Sequence, residues 1–211
     1  MPAINTPRQK AVIFDLLTAL LDSWSVWDAA AGGNVLGRRW RKRYLQLTYD
    51  SGTYRPYEEL ISMAAADCGL APTAAAALRA KWDDLTPWPE VPRVLIRLRK
   101  QGLRLGVITN CSIELGTRAA ARCGISFDAV LTAEDVGFYK PRPEPYHRIL
   151  AALDVTAHQA LFVAGSSADV AGAAAVGMQV IWHNRIGLPP LPGTKALLEA
   201  DRLDAALNGL V

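Results

Sequence analysis

The sequence predicts an α/β fold, a doubly wound parallel sheet with an inserted helical cap, on three observations. Short apolar runs recur along the chain and are continuous rather than alternating, which is typical of strands covered on both faces. Helical patterns separate most of these runs, and strand–helix alternation with short connections indicates a parallel sheet. A long helical stretch without a strand interrupts the alternation after the first run, which predicts an insertion.

The composition excludes several classes of protein. The chain has 211 residues, of which 51% are hydrophobic and 20% are charged, enough apolar sequence to bury a core and too much for a disordered chain. The net charge of +3 is a mild excess without any nucleic-acid-binding motif, so we predict no nucleic-acid partner. No apolar run reaches the roughly 18 residues of a membrane span, so we predict no membrane partner.

Cysteine usage predicts a reducing compartment. Cys68, Cys111 and Cys123 are odd in number and lack the spacing of metal ligands. No histidine lies near Cys111 in the pattern of a thiol nucleophile. The first ten residues, MPAINTPRQK, have no apolar signal core. We therefore expect a cytoplasmic protein.

The first strand is AVIF at 11–14, and it leads directly into a carboxylate, Asp15. Residues 24–90 follow with helical patterns and no convincing strand. That length is far too great for an ordinary connection between parallel strands. The sequence therefore predicts a catalytic core made of residues 8–23 and 91–211, with a helical cap at 24–90.

The remaining elements alternate regularly. Four further apolar runs predict strands at 104–109, 128–131, 160–164 and 179–183. Helical patterns occupy residues 113–123, 144–153 and 168–176. Pro143 suits the start of the second helix, Ser167 is a candidate N-cap for the third, and Gly124 and Gly177 suit the ends of the first and third.

Polar residues follow four of the predicted strands. In open parallel sheets, ligands bind outside the carboxyl ends of the strands, so side chains from different strand ends meet at one edge. The polar residues at these ends are Asp15, Thr109, Asn110, Lys140, Ser166 and Asp169.

This combination has a chemical logic. A carboxylate such as Asp15 can act as a nucleophile and form a covalent ester. A nearby ammonium group, that of Lys140, favours its ionised form. Thr109 and Asn110 offer hydrogen-bond donors at the start of a helix, where anions bind. Asp169 could hold Lys140 in place or help to position a water molecule.

Four motifs in a fixed order resemble those of the haloacid dehalogenase superfamily, whose core is Rossmann-like. The motifs are FDLLTALLD, VITNCS, YKP and GSSADVAGAAAVG. Other stretches resemble the L-2-haloacid dehalogenase branch in particular, among them WRKRYLQLTY, KPRPEPYHRIL and VIWHNRIG. The resemblance covers nearly the whole chain.

The resemblance implies a role for each matching residue. It makes Asp15 the nucleophile, Lys140 its neighbouring cation and Asp169 the acid of the fourth motif. It implies a substrate-binding role for Arg41, which closes over the substrate, and for Leu17, Thr109, Asn110, Tyr146 and Ser166. The substrate is then a small anion, no metal or cofactor is needed, and a homodimer is expected.

Three departures from the family pattern bear on the substrate. Phosphatases of the superfamily carry a proton-donating Asp at the position of Leu17 and a Mg²⁺-binding acid at that of Gly165. Loss of a general acid typically lowers the rate about 10²–10⁴-fold. The dehalogenases carry Tyr at the position of Leu17 and Gly-Thr in place of Thr18 and Ala19. The sequence thus predicts hydrolysis of a small carboxylic acid, a 2-haloacid or one with another strained or activated carbon.

Other interpretations stay open at this point. The chain could be a Mg²⁺-dependent small-molecule phosphatase, or a degenerate member that binds an anion or a partner without catalysis. Arg41 lies in the run RRWRKR, for which an exposed helix face is the usual outcome. Asp15 could cap nearby amides, and Thr109 and Asn110 could cap the next helix.

Overall fold

Six strands form the centre of the molecule, which is represented by a computed structural model that describes residues 9–209. The strands are β1 Ala11–Asp15, β2 Arg104–Thr109, β3 Ala129–Thr132, β4 Ala160–Ala164, β5 Gln179–His183 and β6 Leu198–Ala200. They pair in the order β3-β2-β1-β4-β5-β6. Every pair is parallel. The order reverses between β1 and β4, so the crevice for a ligand opens at the carboxyl ends of those two strands.

Ten α-helices accompany the sheet in the described part of the chain. They are α1 Ser23–Ala31, α2 Asn34–Asp50, α3 Tyr57–Asp67, α4 Ala74–Ala80, α5 Val91–Lys100, α6 Ile113–Ala121, α7 Ala133–Val136, α8 Pro143–Ala152, α9 Ser167–Ala175 and α10 Leu203–Ala206. Two 3₁₀ turns lie at Trp82–Asp84 and Ala157–Gln159. Within residues 9–209, none of the helices combines the length and the apolar character needed to cross a bilayer.

The predicted fold class is confirmed, with small differences at the ends of elements. The predicted strand at 128–131 lies one residue later, and Asp128, just before it, accepts from the backbone N–H of Leu105 in β2 at 2.7 Å. Helix α9 already includes Ser167, and Ser166 is its N-cap. The sequence gives no apolar signal for β6, which has three residues at the edge of the sheet and is largely exposed.

The continuous apolar strands are explained by cores on both faces of the sheet. Val12 and Phe14 of β1 point into one buried cluster, while Ala11 and Ile13 point into the other. Successive side chains of a strand alternate between faces, so a strand covered on both sides has no polar position. Each large apolar side chain buried in this way contributes roughly 1.5–3 kcal/mol.

Helices α1 to α5 lie between β1 and β2 along the chain, and we call residues 24–90, which hold α2 to α4 and nearly all of α1, the insert. Their apolar side chains join the first of the two clusters, among them Trp40, Leu60 and Leu78, together with Phe14 of the sheet. The insert therefore packs directly on the sheet through one continuous apolar cluster. Its treatment as a separate cap with bounds 24–90 stays a prediction, and Arg8, Leu210 and Val211 of the predicted core lie outside the described residues.

Candidate active site

Asp15 is the last residue of β1, and the turn that follows folds back over its side chain. Its Oδ2 atom accepts hydrogen bonds from the Thr18 backbone N–H at 2.9 Å, the Thr18 hydroxyl at 2.5 Å and the Ala19 backbone N–H at 3.2 Å. Its Oδ1 atom accepts one bond, from Nζ of Lys140 at 2.8 Å. These donors account for a carboxylate in an apolar run, and they leave Oδ1 with more free lone-pair density than Oδ2.

Lys140 sits between two carboxylates and is almost completely buried. Its Nζ lies 2.8 Å from Oδ1 of Asp15 and 3.2 Å from each carboxylate oxygen of Asp169. Asn110 fixes the backbone of this lysine: its side-chain amide donates to the Lys140 carbonyl at 2.9 Å and accepts from the Lys140 N–H at 2.8 Å. The predicted substrate ligand Asn110 therefore also positions the lysine, because its amide is paired with the Lys140 backbone.

Asp169 lies in the first turn of α9 and receives a second donor from α8. The Tyr146 hydroxyl donates to its Oδ1 atom at 3.1 Å. This contact requires a close approach of the two helices at Gly172, where a Cβ would lie 2.6 Å from the Tyr146 hydroxyl oxygen. The prediction that Tyr146 binds substrate is not supported by its position: it is fully buried and supports Asp169 from behind.

The three charges shift one another's pKa values in a consistent pattern. Burial raises the pKa of Asp15, but the Lys140 ammonium and the bonds from Thr18 outweigh it, so this pKa lies below the ordinary 3.8. Burial lowers the pKa of Lys140, and the two carboxylates more than reverse that effect. Burial and the neighbouring Asp15 charge keep the pKa of Asp169 above its ordinary value, against the pull of Lys140. The surroundings of Asp15 thus favour its ionised form, and the two carboxyl groups differ in the direction of their pKa shifts.

Arg41 brings a second cation to the site from the insert. It is the buried member of the basic run, 6% exposed, while Arg38, Arg39 and Lys42 point to solvent. Its guanidinium donates to the Ser23 hydroxyl at 2.7 Å and stacks 4.2 Å from the Trp24 ring centroid. Among residues 9–209 it forms no ion pair with a carboxylate. A buried cation without an anionic partner is costly, so the site suits an anionic ligand.

A cavity of about 70 Å³ opens between the insert and the sheet edge. Eight of the nine predicted site residues line it, and Tyr146 is the exception. The lining residues are Asp15, Leu17, Thr18, Trp24, Arg41, Tyr44, Leu45, Tyr49, Thr109, Asn110, Lys140, Ser166, Asp169 and Leu188. The volume holds roughly five water molecules, which corresponds to a ligand of only a few non-hydrogen atoms.

Comparison with known proteins identifies the family. A sequence model of the haloacid dehalogenase-like hydrolases matches residues 9–177. The chain belongs to this family. Haloacetate dehalogenase H-2 of Moraxella sp. (strain B) is 30% identical over 84% of this chain and 87% of its own. An (S)-2-haloacid dehalogenase of Xanthobacter autotrophicus is 28% identical over 81% of this chain and 73% of its own.

Solved structures agree. The crystal structure of an L-2-haloacid dehalogenase superposes with a TM-score of 0.84 and 30% identity, and covers 95% of this chain and 97% of its own. The resemblance that the motifs indicate is therefore confirmed, and this haloacid dehalogenase-like hydrolase has the same overall fold as that enzyme.

The site of this haloacid dehalogenase-like hydrolase does not fit the Mg²⁺ site of the phosphatase alternative. At Gly165 a Cβ would lie 2.0 Å from the Thr18 hydroxyl oxygen and 2.6 Å from the Ala19 nitrogen, so this position has no room for a carboxylate. Leu17 supplies no acid to protonate a leaving alcohol. No group of three or more His, Cys, Asp or Glu residues in the described part of the chain is arranged as a metal-ligand set, whereas Mg²⁺ prefers several oxygen ligands.

Five cavity residues of the hydrolase lie outside the four motifs that predict the site: Trp24, Tyr44, Leu45, Tyr49 and Leu188. Tyr44, Leu45 and Tyr49 follow Arg41 on α2 at spacings of three, four and eight residues, which places them on one helix face. That spacing was a usable signal. Leu188 follows β5 in a loop, and nothing in its local sequence indicates that it reaches the cavity.

Proposed function

We propose that this hydrolase releases halide from a small 2-halocarboxylic acid through a covalent ester on Asp15. The observation that carries the proposal is the buried Arg41 guanidinium, which has no carboxylate partner among the described residues and lines the same small cavity as the ionised Asp15. A substrate carboxylate would pair with the guanidinium. Its halogen-bearing carbon, one bond away, would then face the nucleophile.

The reaction is a displacement followed by hydrolysis. Oδ1 of Asp15 attacks carbon 2 of the acid, the carbon–halogen bond breaks, and the halide leaves with the electron pair. A water molecule then adds to Cγ of Asp15, and the ester is cleaved to a 2-hydroxy acid, with net release of a proton. Halide needs neither protonation nor a metal to leave. This suits a site that has Leu17 in place of a proton-donating acid and Gly165 in place of a metal-binding acid.

The residues around Asp15 support this sequence of steps. Lys140 keeps Asp15 ionised, and Asp169 holds the Lys140 ammonium from the other side. Oδ2 is occupied by three donors while Oδ1 accepts only one, so Oδ1 is the attacking atom. Holding a nucleophile and a small substrate in one geometry accounts for a large part of such a rate enhancement.

Isotope transfer under single-turnover conditions tests the ester. With enzyme in excess over a 2-haloacid in H₂¹⁸O, we expect ¹⁸O in the Asp15 carboxylate, detected by mass spectrometry of the peptide that contains it. Direct attack of water on the substrate would place the label in the product alone and would contradict the proposal. Asp15→Asn should fold and show no turnover.

A substrate panel tests the alternatives. It contains haloacetates, 2-halopropionates, cyclic amino acids and phosphate esters, each with Mg²⁺ and with EDTA. We expect turnover of haloacids that is insensitive to EDTA. Leu17, an apolar side chain on the cavity wall, also suits a carboxylic acid with another strained or activated carbon, and the cyclic acids test that second candidate. Turnover of phosphate esters alone would contradict both.

Two finer properties complete the proposal. We propose that the protein acts in the cytoplasm, which suits three buried cysteines that form no disulfide, and that it forms a homodimer, as expected from the dehalogenase resemblance. Cell fractionation tests the location, and light scattering during gel filtration tests the mass.

A further inference from the structure

The turn that carries the nucleophile is held from its far side by side chains that take no part in the proposed chemistry. Three consecutive backbone carbonyls, those of Leu17, Thr18 and Ala19, point away from Asp15. Each of them accepts a hydrogen bond from a side chain of another segment of the chain. We propose that Ser23, Trp88 and His183 are positioning residues that brace this turn so that its amides face Oδ2 of Asp15.

The peptide units show how the brace works. The unit between Leu17 and Thr18 donates its N–H to Oδ2 of Asp15 at 2.9 Å, and its carbonyl accepts from the Ser23 hydroxyl. The next unit donates the Ala19 N–H to the same oxygen at 3.2 Å, and its carbonyl accepts from the Trp88 indole at 3.1 Å. A planar peptide unit held at both ends cannot rotate without breaking one of the two bonds. The bonds from Ser23 and Trp88 therefore each fix a donor that occupies Oδ2. The third unit, whose carbonyl faces His183, donates the Leu20 N–H to the Leu16 carbonyl at 3.1 Å and so closes the same turn.

Ser23 also links the brace to the cation of the site. Its hydroxyl accepts from Arg41 at 2.7 Å while it donates to the Leu17 carbonyl. A continuous path of hydrogen bonds thus runs from the guanidinium through one peptide unit to the nucleophile. Bonds in such a chain polarise one another and strengthen the last donor.

Trp88 is itself fixed in place. Its backbone N–H donates to the Leu20 carbonyl at 3.0 Å, which ties the end of the insert to the same turn. The Arg185 guanidinium lies 4.8 Å from its ring centroid. The indole N–H is therefore held toward the Thr18 carbonyl rather than being free to rotate.

His183, the last residue of β5, supports the third of these carbonyls, that of Ala19. It is fully buried, and its Nδ1 atom lies 2.7 Å from the Ala19 carbonyl oxygen. A carbonyl can only accept, so Nδ1 carries the proton. Its Nε2 atom lies 3.7 Å from Oε1 of Glu90, a buried carboxylate that also receives Arg185 and the Leu203 N–H. This side of the turn thus rests on polar groups that are fixed in the core.

A matched pair of tryptophan variants tests the proposal that these side chains brace the turn. The test rests on the proposed function only where turnover is measured. Trp88→Phe removes the N–H that binds the Thr18 carbonyl. Trp82→Phe removes an equivalent indole bond, to the Leu115 carbonyl of α6 at 2.8 Å rather than to a carbonyl of the turn. We expect kcat for the 2-haloacid to fall about tenfold in Trp88→Phe with KM unchanged, and both parameters to stay near the parent values in Trp82→Phe.

A second readout needs no substrate. Amide hydrogen exchange of Thr18 and Ala19, followed by NMR, should speed up about tenfold in Trp88→Phe and remain at the parent rate in Trp82→Phe. If either kcat or these exchange rates in Trp88→Phe match those of Trp82→Phe, the brace is overturned. If the parent enzyme turns over no acid, the proposed function fails, and the exchange rates alone decide on the brace.

Histidine variants keep the test independent of the indole. His183→Leu removes the donor to the Ala19 carbonyl, His183→Asn retains one near the position of Nδ1, and the exposed His158→Leu is the control. We expect the kcat of His183→Leu to fall about tenfold, that of His183→Asn to recover most of the loss, and that of His158→Leu to match the parent. Equal kcat in the Leu and Asn variants would contradict a positioning role, even where both melt at lower temperature than the parent.

Discussion

At the scale of single residues, the site depends on how three buried charges are shared. Lys140 lies within hydrogen-bonding distance of both Asp15 and Asp169, and it is the only positive group of the three. The two acids share this lysine but differ in their other neighbours. Asp15 has four donors and a lowered pKa, whereas burial keeps the pKa of Asp169 raised.

Replacing the lysine should therefore affect activity and stability together. In Lys140→Met two buried carboxylates face each other without a cation, so we expect kcat to fall at least 100-fold and the free energy of unfolding at pH 7 to fall by about 3–5 kcal/mol. In the parent, the lowered pKa of Asp15 contributes stability above pH 3.8 that is lost as the pH falls through its folded pKa. The variant lacks this contribution.

The stability difference between parent and Lys140→Met should accordingly shrink below about pH 4, and the acid limb of the kcat profile should move to higher pH in the variant. Urea unfolding at several pH values and steady-state kinetics measure the two effects. Lys100→Met, at an exposed lysine, is the control. An acid limb at the same pH in parent and variant would contradict the assignment.

For Arg41 we expect the opposite balance, in which the proposed substrate binding comes at the expense of stability. A buried guanidinium without a carboxylate partner is destabilising, and Met fills a similar volume. We expect Arg41→Met to lose turnover while its Tm rises by roughly 2–4 °C, equivalent to about 1 kcal/mol in a chain of this size.

Calorimetry with and without a non-reactive acid checks the reason for that rise. Propionate should raise the Tm of the parent by binding the folded state, and it should leave the Tm of Arg41→Met unchanged. A variant that melts below the parent and is still stabilised by propionate would show that Arg41 is structural.

At the scale of elements, the loop between β5 and β6 completes the cavity wall. Leu188 reaches the cavity because Asn184 holds its backbone from both sides: the Asn184 amide donates to the Leu188 carbonyl at 2.9 Å and accepts from the Leu188 N–H at 2.7 Å. This loop lies beyond residues 9–177, the part that matches the family. The loop thus adds one apolar side chain, that of Leu188, to the cavity wall.

We expect Leu188→Ala to enlarge the cavity and to shift the preference toward larger acids. The ratio of kcat/KM for 2-chlorobutyrate to that for chloroacetate should rise about tenfold, the effect of roughly one methylene in an apolar pocket. Leu191→Ala changes a leucine of the same loop that is 47% exposed, and it should leave the ratio unchanged. If this kcat/KM ratio is the same in the two variants, Leu188 does not limit the size of the substrate.

At the scale of the whole molecule, one apolar cluster joins the insert to the sheet. Trp40 and Trp82 of the insert belong to the same buried cluster as Phe14 and Leu105 of the strands. Unfolding of either part would expose the apolar side chains of the other to solvent. We therefore infer that the insert and the sheet unfold as one cooperative unit.

Two probes of urea unfolding test this cooperativity. Five of the six tryptophans, all except Trp182, lie in the insert, so fluorescence reports mainly on that part, while far-UV circular dichroism reports on all the helices and strands. The two transitions should have the same midpoint and slope. A fluorescence transition at lower urea would show that the insert unfolds on its own.

Most of the fold could be predicted because its signal is local. A strand covered on both faces is continuously apolar, so β1, β2, β4 and β5 are visible in the sequence. The three-residue edge strand β6 has no such pattern. It is recognisable only from its pairing with β5 in the folded sheet. Alternation of strands and helices also placed Asp15, Lys140 and Asp169 at one edge, because parallel topology fixes where strand ends lie.

By itself, then, the sequence determined the α/β fold, the family and the charged residues at the strand ends. Only the tertiary structure decided which arginine of the basic run is buried, why Gly165 has no room for an acid, and which side chains bond to the carbonyls of the turn after Asp15. Thr18 and Ala19 find Trp88 and His183 some 70 and 164 residues away. The reason is physical: a local pattern fixes which face of an element is buried, but packing of distant segments decides which polar groups meet there.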